Sequence, residues 1–231
     1  MNTTRCEFCG RELEPVTVEL GGTSYTVGYE PCMCSQAIEA RAIEEAEENK
    51  RLAEAEKARV EAKIREEGIR PRYRGLTHSK AYEVAIACEV GRNVYICGAV
   101  GTGKTTLASA AAKRLIEDNH SVLFKPTAEL LGELREFDAE VVNRCKAVDV
   151  LILDDLGKEN PTGYTLERLF DIIDHRNGYM LPTITTSQLK PGELERQLAK
   201  GGNRTGIAIV SRLRQDCDLI ETSGKDRRLS C

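Results

Sequence analysis

The stretch YICGAVGTGKTTLASA, residues 95–110, sets three glycines and a lysine between an apolar run and an alanine-rich run. Gly98, Gly103, Lys104 and Thr105 fit the pattern G-x-x-x-x-G-K-[ST]. NVYIC just upstream reads as a strand, and residues 105–118 read as a helix. Strand, spacing and lysine all agree, which a glycine-rich turn without a ligand does not require. Glycines let backbone N–H groups close around phosphate oxygens. The positive end of the following helix faces the anion. Lys104 is expected to reach the β- and γ-phosphates of ATP, and the Thr105 hydroxyl to ligate Mg²⁺. The expected nucleotide-binding set is Gly98, Gly101, Thr102, Gly103, Lys104, Thr105 and Thr106, together with Asp154 farther along the chain.

Outward from this loop, apolar strands alternate with amphipathic helices. SVLF reads as a strand, helices follow around 127–147, and DVLIL is a strand. A helix at 164–176, the strand TITTS, helices at 191–199 and 204–215, and a last strand DLIET complete the pattern. Such alternation implies an α/β fold, a parallel sheet covered by helices on both faces. VDVLILDDLG ends a strand on Asp154 and Asp155. This is the Walker B pattern: the first carboxylate helps hold Mg²⁺ and the second can orient the attacking water. Gly68 is expected to end the preceding helix and Pro71 to prevent an immediate restart.

The 231 residues suffice for one core and a small appendage. Hydrophobic content of 41% and charged content of 30% fit a globular chain. No apolar run approaches the roughly 20 residues that span a bilayer, so a cytoplasmic location without membrane contact is the default expectation. Residues 1–68 carry nine Lys/Arg and fifteen Asp/Glu, whereas residues 190–231 carry nine and six. Contact with a phosphate backbone is therefore expected toward the C-terminal part.

Cys6-x-x-Cys9 and Cys32-x-Cys34 bracket a hairpin formed by VTVEL and TSYTVGY, with Gly21-Gly22 as its turn. Four thiolates so placed can surround Zn²⁺ tetrahedrally. The segment is too small to bury a core, so the metal is expected to supply its stability. A redox-active CxxC is the alternative, but no thioredoxin-like βαβ pattern surrounds it. Residues 35–67, rich in Ala, Glu, Lys and Arg, read as a long solvated helix rather than a coiled coil. The expected organisation is a zinc module at 1–34, a helical arm at 35–68 and an ATPase domain at 69–231.

GIRPRYRG, GAVGTGKT, LILDDLG, PTITTSQL, IAIVSRLR and SGKDRR, in that order, resemble the DnaC/DnaI-type replicative helicase loaders. That AAA+ family also includes IstB-like transposition helpers. The resemblance spans about residues 69–228. It implies a polar sensor-1 residue at the end of TITTSQ, with Gln188 the first choice and Thr186 and Ser187 behind it. The family often has TSN there. Many ATPases of this type place Glu where Asp155 stands, which implies slow hydrolysis or a water placed by another group such as Glu159. Arg212 matches the arginine finger that reaches a neighbouring subunit's γ-phosphate, and Arg228 matches sensor 2, with Arg227 beside it. RPRYRG could stack on single-stranded DNA or anchor against the core beside the nucleotide.

The resemblance implies an ATP-dependent loader, self-associating through its ATPase domain, that delivers a hexameric replicative DNA helicase to single-stranded DNA. Its alternative is an IstB-like ATPase helper of a DNA transposase. A P-loop small-molecule kinase fits the tandem aspartates and the late arginines less well.

Overall fold

The computed structural model describes residues 4–136, 138–159 and 161–224. Contacts group the chain into two compact units that divide between Arg59 and Val60. In the first unit, β1 (Pro15–Leu20) and β2 (Thr23–Tyr29) form the antiparallel hairpin, with Val18 opposite Tyr25. Gly21 and Gly22 make the turn at φ of 61° and 81°, a region that favours glycine. Cys6, Cys32 and Ala37 are buried, with Leu13 and Cys34 packed against them. The 32-residue helix α1 (Ser35–Glu66) follows. Its apolar residues Ile38 and Leu52 are exposed, as a solvated arm requires.

The last turns of α1 belong with the second unit, where Val60 and Ile64 join a core containing Ile69 and Phe124. Gly68 ends the helix at φ 88°, and a Cβ there would lie 2.4 Å from the Phe124 carbonyl oxygen. Only glycine lets the chain pass so close. Pro71 does not delay a restart; it opens the short helix α2 (Pro71–Arg74). Proline suits that first position because its fixed φ is helical and its missing N–H has no helical partner. The sequence pattern passed over α3 (Ala81–Glu89), whose buried residues Val84, Ala85, Ala87 and Cys88 are small.

Five strands form one parallel sheet: β3 (Asn93–Gly98), β4 (Val122–Pro126), β5 (Val150–Asp154), β6 (Thr183–Ser187) and β7 (Cys217–Thr222). Their order is β4-β5-β6-β3-β7. Helices α4 (Lys104–Glu117), α5 (Thr127–Arg135), α6 (Ala139–Ala147), α7 (Gly163–Gly178), α8 (Pro191–Leu198) and α9 (Arg204–Arg214) connect them. Alternation along each strand divides the core in two. Val94, Ile96, Ile152 and Ile184 face α3 and α4. Tyr95, Cys97, Leu151 and Leu153 face the side built by α5 to α9. The expected α/β fold, a parallel sheet with helices on both faces, is the one observed. The helical stretch around 127–147 is two helices, and Asp138 caps the second by accepting from the Glu140 and Val141 N–H groups.

At the amino ends of β5 and β6, Arg176 is fully buried. It donates to the carbonyls of Cys145, Val148, Asp149 and Pro182 and to the Thr183 hydroxyl. These acceptors are neutral, so burial pushes its pKa down to about 10. The guanidinium fixes this end of the sheet and leaves the opposite, carboxyl end to build the site. Among the described residues, no helix is long and apolar enough to cross a membrane.

Candidate functional site

A cleft of about 510 Å³ lies at the carboxyl end of β3, where α4 begins. Gly101 and Gly103 stand at φ of 76° and 94°, and Gly103 immediately precedes α4. Gly98 ends β3 with no room for a side chain, since a Cβ would lie 2.2 Å from the Thr222 carbonyl oxygen. Lys104 is buried, and its Nζ donates to the carbonyls of Gly98 at 2.8 Å and Ala99 at 2.7 Å. Gly101, Gly103, Lys104, Thr105 and Thr106 all line the cleft. Thr102 is buried beside it, its hydroxyl donating to the Ala99 carbonyl at 2.8 Å. A buried ammonium at the base of a glycine-rich loop is a fit partner for phosphate.

Asp154 closes the base of the site, 5% exposed. Its carboxylate accepts from the Thr105 hydroxyl at 3.0 Å and from the Thr186 hydroxyl at 2.6 Å. Burial raises its pKa above the usual carboxylate value; the Thr186 bond pulls it down, the nearby Asp155 pushes it up, and the Thr105 bond pulls it down. An oxygen pair this close, one anionic and one hydroxyl, suits a hard cation such as Mg²⁺. Asp155 sits at φ 62°, and its side chain turns into the cleft, where Lys158 pairs with it at 2.8 Å.

The polar end of β6 divides its labour. Gln188 lines the cleft. Thr186, ranked behind it in the sequence reading, makes the direct bond to Asp154 and accepts the Asp155 N–H at 2.8 Å. Ser187 points elsewhere and donates to the Leu156 carbonyl at 2.6 Å. Strand alternation carried this signal: Ile184 faces the α4 side, so Thr186 does too, as Ile152 does with Asp154. Glu159 accepts the Gly157 N–H at 3.2 Å and is not among the residues that line the cleft. Lys158 is a charged cleft residue that sequence reasoning missed.

Arg72, Tyr73, Leu76 and Thr77 form one wall of the cleft. Tyr73 also packs against the α4-side core. Arg70 pairs with Glu129 at 2.8 Å, and Arg74 donates to the Ile69 carbonyl at 2.8 Å. These contacts place RPRYRG beside the cleft, as an anchor. Arg212 is not brought to its own cleft. It stands on α9, half-exposed, with Nε donating to Asp174 on α7 at 2.7 Å. Arg228 and its neighbour Arg227 lie outside the described residues.

In the first unit the Sγ atoms of Cys6, Cys9, Cys32 and Cys34 all lie within 4.8 Å of one another. Cys6 and Cys34 are 3.9 Å apart, Cys9 and Cys32 3.4 Å. Four thiolates at a Zn–S distance of about 2.3 Å are separated by about 3.8 Å in a tetrahedron, so the cluster fits zinc. The backbone N–H groups of Cys9 and Phe8 pull the Cys6 thiol down to about 7, which favours the ligating form.

Residues 83–231, more than half of the chain, match the family described as IstB-like ATP binding protein. The chain is 32% identical over 149 residues to the replicative helicase loader DnaI of Bacillus subtilis, covering 60% of this chain and 48% of that protein. It is 32% identical over 141 residues to an insertion-sequence ATP-binding protein, y4uH, of Sinorhizobium fredii, covering 59% and 56%. The chain thus spans about half the length of the curated relatives it matches. A crystal structure of DnaI is similar at 31% identity and TM-score 0.57, over 64% of this chain and 80% of that one. The replication initiator DnaA bound to AMPPCP and single-stranded DNA is similar at 26% identity and TM-score 0.53, over 68% and 52%.

A buried acid with a raised pKa binds its proton more tightly folded than unfolded. Stability is therefore lost as pH rises from the unfolded pKa through the folded one. Asp154→Asn removes the buried charge and is expected to raise the melting temperature by about 2–4 °C at neutral pH. The gap should narrow as pH falls through the carboxylate range. Calorimetry at several pH values checks this, and a variant that melts below the parent at every pH contradicts it.

Proposed function

The chain belongs to the IstB-like ATP binding protein family, and on that footing we propose that it is an ATP-hydrolysing assembly factor. It binds a hexameric replicative helicase and delivers it to single-stranded DNA. The observation that carries this reading is the cleft itself, where a buried Lys104 and a Thr105–Asp154–Thr186 cluster meet at the mouth of the phosphate loop. The likeness to DnaI in sequence and in structure directs the reading toward helicase loading.

Loop N–H groups and the start of α4 receive the phosphates. Lys104 exchanges its two carbonyl partners for terminal phosphate oxygens. Thr105 and Asp154 hold Mg²⁺, which when bound offsets phosphate charge. Thr186 keeps Asp154 aimed at Thr105. Asp155, one residue farther and directed into the cleft, orients water for attack on the γ-phosphorus. The bond to ADP breaks, and Asp155 receives the proton. Gln188 sits where it can sense the transferred group. Arg212 acts on a neighbouring copy, where its charge meets charge developing in transfer. Arg228 is proposed as sensor 2 from the resemblance alone. The net positive charge of residues 190–231 suits contact with DNA phosphates.

The first unit holds zinc through Cys6, Cys9, Cys32 and Cys34 and offers the helicase a folded surface. Zinc supplies the structure that this unit's few buried residues cannot. A helper of a DNA transposase is the second reading, favoured by the insertion-sequence relative.

Fresh, reduced protein is expected to contain about one zinc per chain by elemental analysis. Cys9→Ser should lose it and open the hairpin unit, with ATP binding retained. Protein without zinc contradicts the metal assignment.

Capture from host extract with ATP, read by mass spectrometry, is expected to recover the replicative helicase. Lys104→Ala should lower ATP affinity by about 10- to 100-fold, the worth of a hydrogen bond to a charged group, and recover less helicase. Recovery of a transposase instead supports the second reading.

A further inference from the structure

We propose that Thr222, the last residue of β7, is a positioning residue for the phosphate loop. This rests on the nucleotide reading of the cleft. Thr222 is not among the residues that line the cleft. It acts through Thr102.

Gly98 and Thr222 are register partners in the β3–β7 ladder. The fit is close: a Cβ at Gly98 would lie 2.2 Å from the Thr222 carbonyl oxygen and 2.5 Å from its hydroxyl. The end of β7 therefore abuts the first residue of the loop. The Thr222 hydroxyl donates to the Cys97 carbonyl at 3.1 Å and lies 2.7 Å from the Thr102 hydroxyl. Thr102 in turn reaches the Ala99 carbonyl at 2.8 Å. The four groups form a short bridge from β3, across β7, to the far side of the loop.

Proton count makes this bridge adjustable. There are three contacts, and two hydroxyls bring two protons. Two arrangements make the middle contact, one donating onward to Ala99 and the other to Cys97, and each leaves the other carbonyl without a hydroxyl donor. Ala99 is also where Lys104 donates, at 2.7 Å. When Lys104 turns to phosphate, Thr102 can continue to supply Ala99 with a donor. Thr222 can then donate to Thr102, so that the hydroxyl pair stays bonded. Thr102 is 4% exposed, so water is a poor substitute. The Thr222 hydroxyl thus lets the loop keep its shape while Lys104 changes partners. Backbone N–H groups aimed at phosphate depend on that shape.

Thr222→Val keeps the side-chain shape and removes the hydroxyl. It is expected to weaken ADP and ATP binding by about tenfold, the fold-change of one ordinary hydrogen bond. The readout is titration of a fluorescent nucleotide analogue, displaced by ADP or ATP. Thr222→Ser restores the hydroxyl and should bind within about twofold of the parent. Thr102→Val should show a similar loss, and the double variant no more than either single, because both hydroxyls serve one bridge. A merely structural role predicts losses in melting temperature, additive between the two sites, with nucleotide affinity unchanged. Parental affinity in Thr222→Val overturns the proposal, as do equal losses in the Val and Ser variants or additive losses in the double variant. If the parent itself binds no nucleotide, the reading of the cleft fails instead.

Discussion

The carboxylate of Asp154 is the constraint on which the site depends. It is buried at the end of β5, bonded to Thr105 at the start of α4 and to Thr186 at the end of β6. Three elements far apart in sequence are thereby held at one point. Burial of the acid works against stability, as its raised pKa records. A charge kept in such a place serves chemistry better than it serves folding. The threonines lower that cost, and they hold the carboxylate in the geometry a hard cation needs.

The sheet is organised around this point from both ends. At the amino ends Arg176 gathers backbone carbonyls around β5 and β6, with no carboxylate partner among the described residues. At the carboxyl ends the parallel strands stop in a row, and β3 lies between β6 and β7. That position puts the phosphate loop against Thr186 and Asp154 on one side and against Thr222 on the other. The two cores pack the helices from above and below, so the loop rests on a rigid support.

Much of this was legible in the sequence, and the reasons are local. The phosphate loop and the strand ending in Asp154 are short runs whose residue types dictate their shape, and both stand where the pattern placed them. The hairpin and the four-cysteine cluster were readable from alternation, a Gly-Gly turn and spacing. What escaped depends on distant contacts. Helix α3 buries small residues that leave a weak period. Pro71 opens α2 instead of delaying a helix. The bond from Thr186 needed the parity of β6 to be compared with that of β5. Lys158 and Thr222 become visible only when the chain returns to the loop. The pairing of Arg212 with Asp174 also lies beyond any local signal.

The cleft is proposed to be one part of a shared site, completed by Arg212 of a neighbouring copy. Mixing two inactive variants tests this most directly. Lys104→Ala lacks the lysine that meets the terminal phosphates and keeps Arg212, while Arg212→Ala keeps that lysine and lacks the arginine. Steady-state ATP hydrolysis is measured with single-stranded DNA present and mixed assembly verified by mass. The mixture is expected to hydrolyse ATP faster than either variant alone. Mixed assemblies no more active than the separate variants would contradict it.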